Sequence, residues 1–344
     1  MALLAEKLAI TQSAVSQFES GKKKPSQEHL NKISEILKFP IAYFYADDLE
    51  DIPEDAISFR SRRDISDMVR QKVRIRSEHA SELISNAFHK RFRMPEPSVP
   101  SYPDIDPEIA ARSLRDEWGL GFSPIGNMVH LLETKGIEVF WLNEPSPCLD
   151  GLSYRRNQRL FIFLNTFKES GERTRFDAAH ELAHLVLHRD RDRLYGQKAE
   201  DEAHRFAAAF LMPAEQFKKE CPTQPILSHF VGIKPRWGAS VGAMVHRAYE
   251  LDILTKDQYY RAFKDISIRG WRTSGEPNKI PIERSAIQRK IYSSLKDKGI
   301  SATDFGMKLN LYFDDLCELT PIASEYTSRI KQRKNHLSLV HFNS

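Results

Sequence analysis

The sequence predicts an α+β protein, mostly helical, with one small antiparallel sheet. Three observations carry this. Long stretches on either side of the chain's middle read as helix. Three short runs rich in β-branched and aromatic residues lie close together between residues 137 and 165. The last of these leads straight into a helical run from about Glu172 to His188, so sheet and helix are neighbours along the chain.

The totals set bounds. A chain of 344 residues is long enough for two or more domains. With 41% hydrophobic and 28% charged residues it has the composition of a soluble globular protein. A net charge of +4 gives no bulk electrostatic argument for nucleic acid. Cys148, Cys221 and Cys317 are odd in number and far apart, which fits a reducing cytoplasm better than a disulfide framework. A charge follows the N-terminus at once, and no apolar run approaches the ~18 residues of a membrane span. A cytoplasmic protein with no membrane partner is the expectation.

Residues 1–46 form a helical unit. Leu4 to Ala9 is a short helix, and Thr11 N-caps a second from Gln12 to Glu19. Ser20-Gly21 stops it, three lysines follow, and a further helix spans about Gln27 to Leu37. The segment from Leu4 to Ser26 resembles a helix-turn-helix of the Cro/repressor (XRE-like) class. That resemblance implies a core of Ala14, Val15 and Phe18. It implies that Gln12, Ser13, Ser16 and Gln17 face a DNA major groove, and that the lysines, Lys22 and Lys23 among them, meet phosphates. Domains of this class normally begin one helix earlier, so the unit is expected to lack its first helix. Packing or dimerisation, and so a homodimer, is its other use.

Residues 47–107 come next. Asp47 to Asp55 is an acidic, proline-containing link, and a long amphipathic helix with many basic residues then runs to about Arg93. Pro95, Pro97, Pro100, Pro103 and Pro107 mark an extended linker. Residues 108–222 form the next unit. Ile109–Trp118 and Ile125–Lys135 read as helices, then Ile137–Leu142, Gly151–Arg156 and Leu160–Asn165 as strands. Arg156 to Arg159 fits a hairpin turn.

The helix after the strands carries the chemistry. It reads Ala178-Ala179-His180-Glu181-Leu182-Ala183-His184. A helix turns about 100° per residue, so His180 and His184 point the same way and can share a metal ion. Glu181 sits at the edge of that face, placed to act as a base without being a ligand. Asp177 and His188 share the arc, while Ala178, Ala179, Leu182, Leu185 and Val186 form the apolar back. Two imidazoles and a carboxylate at this spacing suit a zinc-dependent hydrolase.

Such a site needs a third protein ligand. The next helical run, Gln197–Leu211, offers Glu200 and Glu202, which point about 200° apart. Glu200 shares a face with Ala203, His204, Ala207 and Leu211, where small residues permit a close approach. Glu202 lies with Arg205 and Ala209 and looks outward. Glu200 is therefore the expected third ligand, with His204 one turn on as its neighbour. The donor types also suit manganese or iron.

HExxH followed by Glu-x-x-Ala-His-x-Phe-Ala-x-x-x-Leu-Met-Pro resembles the ImmA/IrrE family of zinc metallopeptidases, over about Arg112 to Trp271. The resemblance implies a gluzincin-like domain. In it His180, His184 and Glu200 are metal ligands and Glu181 is the catalytic base. Ala183 stands where many members carry Gly, and His204 where Asn is more usual. Known members cleave helix-turn-helix repressors, so a repressor or antitoxin is the implied substrate. Two other readings use the same residues: a regulator whose zinc domain senses without hydrolysis, and a toxin–antitoxin module in which the site is a relic.

An edge strand beside such a site could take an extended peptide by strand addition. Residues 223–275 read as a helical subdomain with a second helix-turn-helix rhythm. There His246 and Tyr249, with Tyr195 upstream, are candidates to stabilise an oxyanion. Residues 276–344 read as a last helical unit.

Overall fold

Gly151–Arg156 (β3) and Arg159–Asn165 (β4) pair antiparallel across a two-residue turn. Asn157 and Gln158 both have positive φ (47° and 63°). That is the turn whose twist matches a hairpin. This computed structural model describes residues 2–49, 58–59, 66–146, 149–188, 196–222, 226–272 and 275–327.

The rest of the sheet differs from the expectation. Ile137–Leu142 (β2) pairs with β4 in parallel, and Ser58–Phe59 (β1) pairs antiparallel with β3, giving the order β1-β3-β4-β2. The sheet is mixed, not purely antiparallel. The link from β2 to β3 is long enough to step over one strand, so β4 inserts between them. Asn165 holds that link: its side-chain amide donates to the carbonyls of Glu144 and Leu149, and its oxygen accepts from the Glu144 amide.

Successive side chains of a strand point to opposite faces, and here both faces are apolar. Ile137, Val139, Trp141, Leu160, Ile162 and Leu164 face one core with the helix Gly171–Leu187. Phe140, Leu142, Leu152, Tyr154, Phe161 and Phe163 face the other. That second core is closed by the long helix that starts at Asp67 and by the C-terminal helix Ala286–Asp297, with Phe88, Tyr292 and Phe305 at its centre. The long helix runs as α-helix to Glu78, widens to a π turn over His79–Ser85 and ends at His89. Its Ser77 carbonyl accepts from Tyr154 Oη at 3.1 Å, tying it to β3. The proline-rich stretch lies along the first core: Ser98 N–H donates to Lys135 O, and Tyr102 N–H to Val186 O.

The N-terminal unit has helices Ala2–Leu8, Gln12–Glu19 and Gln27–Leu37 around buried Ala5, Leu8, Val15, Leu30 and Ile33. Thr11 caps the second helix, its side chain accepting from the Ala14 amide at 3.2 Å. Phe39 fringes the second core, and Tyr43 Oη lies 2.9 Å from His79 Nε2. Burial holds the His79 imidazole down at about 4, aided by Arg76, so it stays neutral against Tyr43.

Buried charges lock the helices around Gly171–Leu187. Lys234, fully buried on the helix Leu227–Trp237, reaches Glu172 Oε1 at 2.6 Å, Glu276 Oε1 at 3.0 Å and Pro277 O at 2.8 Å. Arg175 pairs with Glu283 and lies against Gly238, where an added Cβ would come within 2.6 Å of its Nε. Removing the ammonium leaves buried Glu172 facing the partly buried Glu276 without the cation between them. Lys234→Ala should cost about 3–5 kcal/mol in urea unfolding. A loss below about 1 kcal/mol would show that Glu172 and Glu276 reach solvent when the lysine is gone.

Candidate metal centre

The helix Gly171–Leu187 starts at Ser170, whose hydroxyl caps the Arg173 amide, and is buried along nearly its whole length. Ala178, Ala179, Leu182, Ala183 and Val186 have no exposed surface. That apolar back holds the helix against the sheet, so His180, Glu181 and His184 are carried into the interior at 3%, 2% and 2% exposure. Ala199, Ala203 and Ala207 face it from the helix Gln197–Leu211, and their small side chains let the two helices approach closely. Glu200 follows from that approach.

His180 Nε2 and His184 Nε2 lie 3.1 Å apart, with Glu200 Oε2 3.3 Å from the first and Oε1 3.7 Å from the second. The three groups offer ligand atoms within 4.8 Å of one another, and all three residues are buried. A tetrahedral ion with ligands at about 2.0–2.1 Å sets neighbouring ligand atoms roughly 3.3 Å apart. Two imidazole nitrogens and a carboxylate at these separations fit a zinc-class ion. The neutral form of the imidazole is the one that ligates. Burial, with His180 beside it, holds His184 well below its ordinary range, against the opposing pull of Glu200.

The hydrogen bonds around the cluster run in one sense. His188 Nε2 lies 3.0 Å from Glu202 Oε2, and His188 Nδ1 lies 3.0 Å from His184 Nδ1. A carboxylate accepts, so His188 Nε2 carries a proton, and in the neutral form of that ring Nδ1 accepts from His184 Nδ1–H. That leaves His184 Nε2, on the cluster side, with its lone pair. The tautomer follows from this chain of bonds. Glu202 looks outward on the helical wheel, yet it is a partner of His188. His188 is the C-cap of the first helix, where the chain has already left the helical path. His204 donates from Nδ1 to the Glu200 carbonyl at 2.8 Å, and its ring packs on His180 with centroids 4.6 Å apart.

Glu181 lies beside the cluster and not in it. The Ser153 hydroxyl donates to Glu181 Oε2 at 2.8 Å and lies 3.2 Å from the Glu181 carbonyl oxygen. A Cβ at Gly151 would stand 2.9 Å from Phe163 O and 3.2 Å from Glu181 Oε1, so only glycine fits there without a shift. Sequence reading passed over Ser153 and Gly151. The only local signal was a glycine and a serine at alternate positions of the strand preceding the HExxH helix.

The oxyanion candidates part company. His246 and Tyr249 pack on Tyr259 of the helix Lys256–Ile268, at ring distances of 5.9 and 4.6 Å. Tyr195 lies outside the described residues. In the N-terminal unit Gln12, Ser13, Ser16, Gln17, Lys22 and Lys23 are all exposed, while Val15 between them is buried. Among the described residues no helix is long and apolar enough to cross a membrane.

A buried His-His-Glu cluster with a separate carboxylate beside it is the kind of site found in metallopeptidases. The IrrE N-terminal-like domain (Peptidase_M78) matches residues 132–249, which include β2–β4 and both site helices, and a helix-turn-helix model (HTH_3) matches residues 1–44. The chain thus joins an XRE-type helix-turn-helix domain to an ImmA/IrrE-type peptidase domain. No curated protein matches it.

The His188–Glu202 chain makes a prediction separate from turnover. Glu202→Ala should weaken zinc binding about 10- to 100-fold, measured by competition with a chromophoric chelator. Unchanged affinity would mean that His184 keeps its tautomer without help.

Proposed function

We propose that this protein is a metal-dependent endopeptidase in which His180, His184 and Glu200 hold zinc and Glu181 is the general base. The observation that carries this reading is the division of labour among the buried carboxylates. Glu200 converges with the two imidazoles, whereas Glu181 lies outside that cluster and accepts from the Ser153 hydroxyl. A purely structural zinc site has no use for that second carboxylate.

The ion would supply Lewis acidity, making water more acidic and polarising the scissile carbonyl. Glu181 takes a proton from the attacking water at its carboxylate and passes it to the leaving amine nitrogen. Ser153, donating to Oε2, fixes the carboxylate plane, and Gly151 keeps side-chain bulk away from Oε1. His180 and His204 pack ring against ring, so neither imidazole swings freely.

The protein substrate we propose is a helix-turn-helix repressor or antitoxin. The matched domains support a peptidase joined to a reader of DNA, and a reader would bring the peptidase to a DNA-bound protein. In this reading Gln12, Ser13, Ser16 and Gln17 enter the major groove, and Lys22 and Lys23 meet phosphates. Their exposure around a buried Val15 supports the placement.

Two variants test the site. Glu181→Gln should keep its zinc by elemental analysis and lose about 10²–10⁴-fold in cleavage of a fluorescent casein probe. Cleavage at the wild-type rate would remove Glu181 from the mechanism. Ser153→Ala should lower kcat about tenfold with zinc content unchanged, the cost of one lost hydrogen bond to the base. An unchanged kcat would make Ser153 a packing residue only.

A further inference from the structure

The sheet edge nearest Glu181 is taken. Ser58 lies opposite Ser153 and Phe59 opposite Leu152, antiparallel. Ser153 is the residue whose hydroxyl holds Glu181. Neighbouring strands run about 4.8 Å apart. The backbone at Ser58 is therefore one strand spacing from the residue that touches the base.

A peptide bond placed for attack must be held extended and in a fixed register with Glu181. The outer edge of β3 offers that hold, since alternate residues along its six-residue length present backbone groups on the side away from β4. Ser58–Phe59 uses the same edge. We propose that the β1 strand is an intramolecular occupant of the substrate-binding edge of β3. A protein substrate then adds to β3 as an extended strand, and only by displacing β1. The inference rests on the peptidase reading above and adds to it a substrate shape and a restraint on access.

Magnitudes decide what kind of restraint this is. The occupant spans two residues and β3 spans six. A substrate segment paired along the whole edge makes more ladder bonds than β1 does, so it wins on contacts. The occupant wins on tethering, because a segment of the same chain acts at an effective concentration of order millimolar. A substrate at micromolar concentration thus competes against roughly a thousandfold local excess. Such a short strand sets a threshold on access and does not seal the site. It excludes segments that stay helical and admits those that can form a strand. Its place in the chain is between the helix-turn-helix unit and the helix that starts at Asp67.

The test uses the full chain and a fluorescent synthetic peptide with the sequence of residues 52–65. Proline cannot donate to a ladder, so S58P/F59P opens the edge whichever of the two amides pairs. The peptide should bind S58P/F59P at least about tenfold more tightly than wild type by anisotropy. Bound peptide should also slow amide exchange in 151–156. The same peptide carrying both prolines should not bind. A chain with residues 52–63 replaced by a Gly/Ser sequence of equal length is a second open form and should behave as S58P/F59P does. Equal peptide affinity for wild type and both open forms would overturn the proposal, as would binding that leaves 151–156 exchange unchanged. These readings need no hydrolysis, so they stand or fall apart from the Glu181→Gln result. With casein as probe, the open forms should lower KM and leave kcat unchanged. A change in kcat alone would place β1 in the chemistry instead.

Discussion

Three polar atoms turned toward one another inside an apolar core are the constraint that the rest of this structure serves. His180 Nε2, His184 Nε2 and a Glu200 oxygen are each buried, and polar groups taken out of water are costly unless they meet partners of matching chemistry. Hydrophobic packing alone would not bring them together. The alanines of the helix Gln197–Leu211 let the backbones come close, and His188 and Glu202 fix one ring. Lys234 and Arg175 pin the helix from its N-terminal half. Each of these features costs specificity in sequence, and together they hold a donor set whose spacing matches one small cation.

The sheet serves the site from below. It is buried on both faces, so its position is set by two cores at once. β3 carries Gly151 and Ser153 on the face toward Glu181, and Leu152 and Tyr154 on the other. A strand locked in this way gives the Glu181 carboxylate a fixed support. It also makes the free side of β3 a rigid template beside the cluster, and β1 occupies part of it. In the proposed reading, access and chemistry meet on one strand.

Much of the site was legible because it is local. Helical spacing alone put His180 and His184 on one face, with Glu181 at its edge. The distribution of alanines around Glu200 marked the helix face that would come close. Asn157-Gln158 sat where a hairpin needs two left-handed residues, and Thr11 capped the helix it was expected to cap. What was not legible depends on contacts between distant segments. Alternation along β2 is the same in a parallel and an antiparallel pairing, so it could not reveal that β4 inserts. Ser153 meets Glu181 across sheet packing, not along a helix. Glu202 was sent outward by a wheel that cannot include the end of a neighbouring helix. Ser58–Phe59 is too short to show a period of any kind.

The central claim is that the three buried groups hold a metal ion. Elemental analysis of the purified wild type beside His184→Ala tests it most directly. The account predicts one zinc per chain in the wild type and none in the variant, with both chains folded by circular dichroism. Folded wild type that carries no metal and takes none up from micromolar zinc would contradict it. The cluster would then be a neutral hydrogen-bonded core.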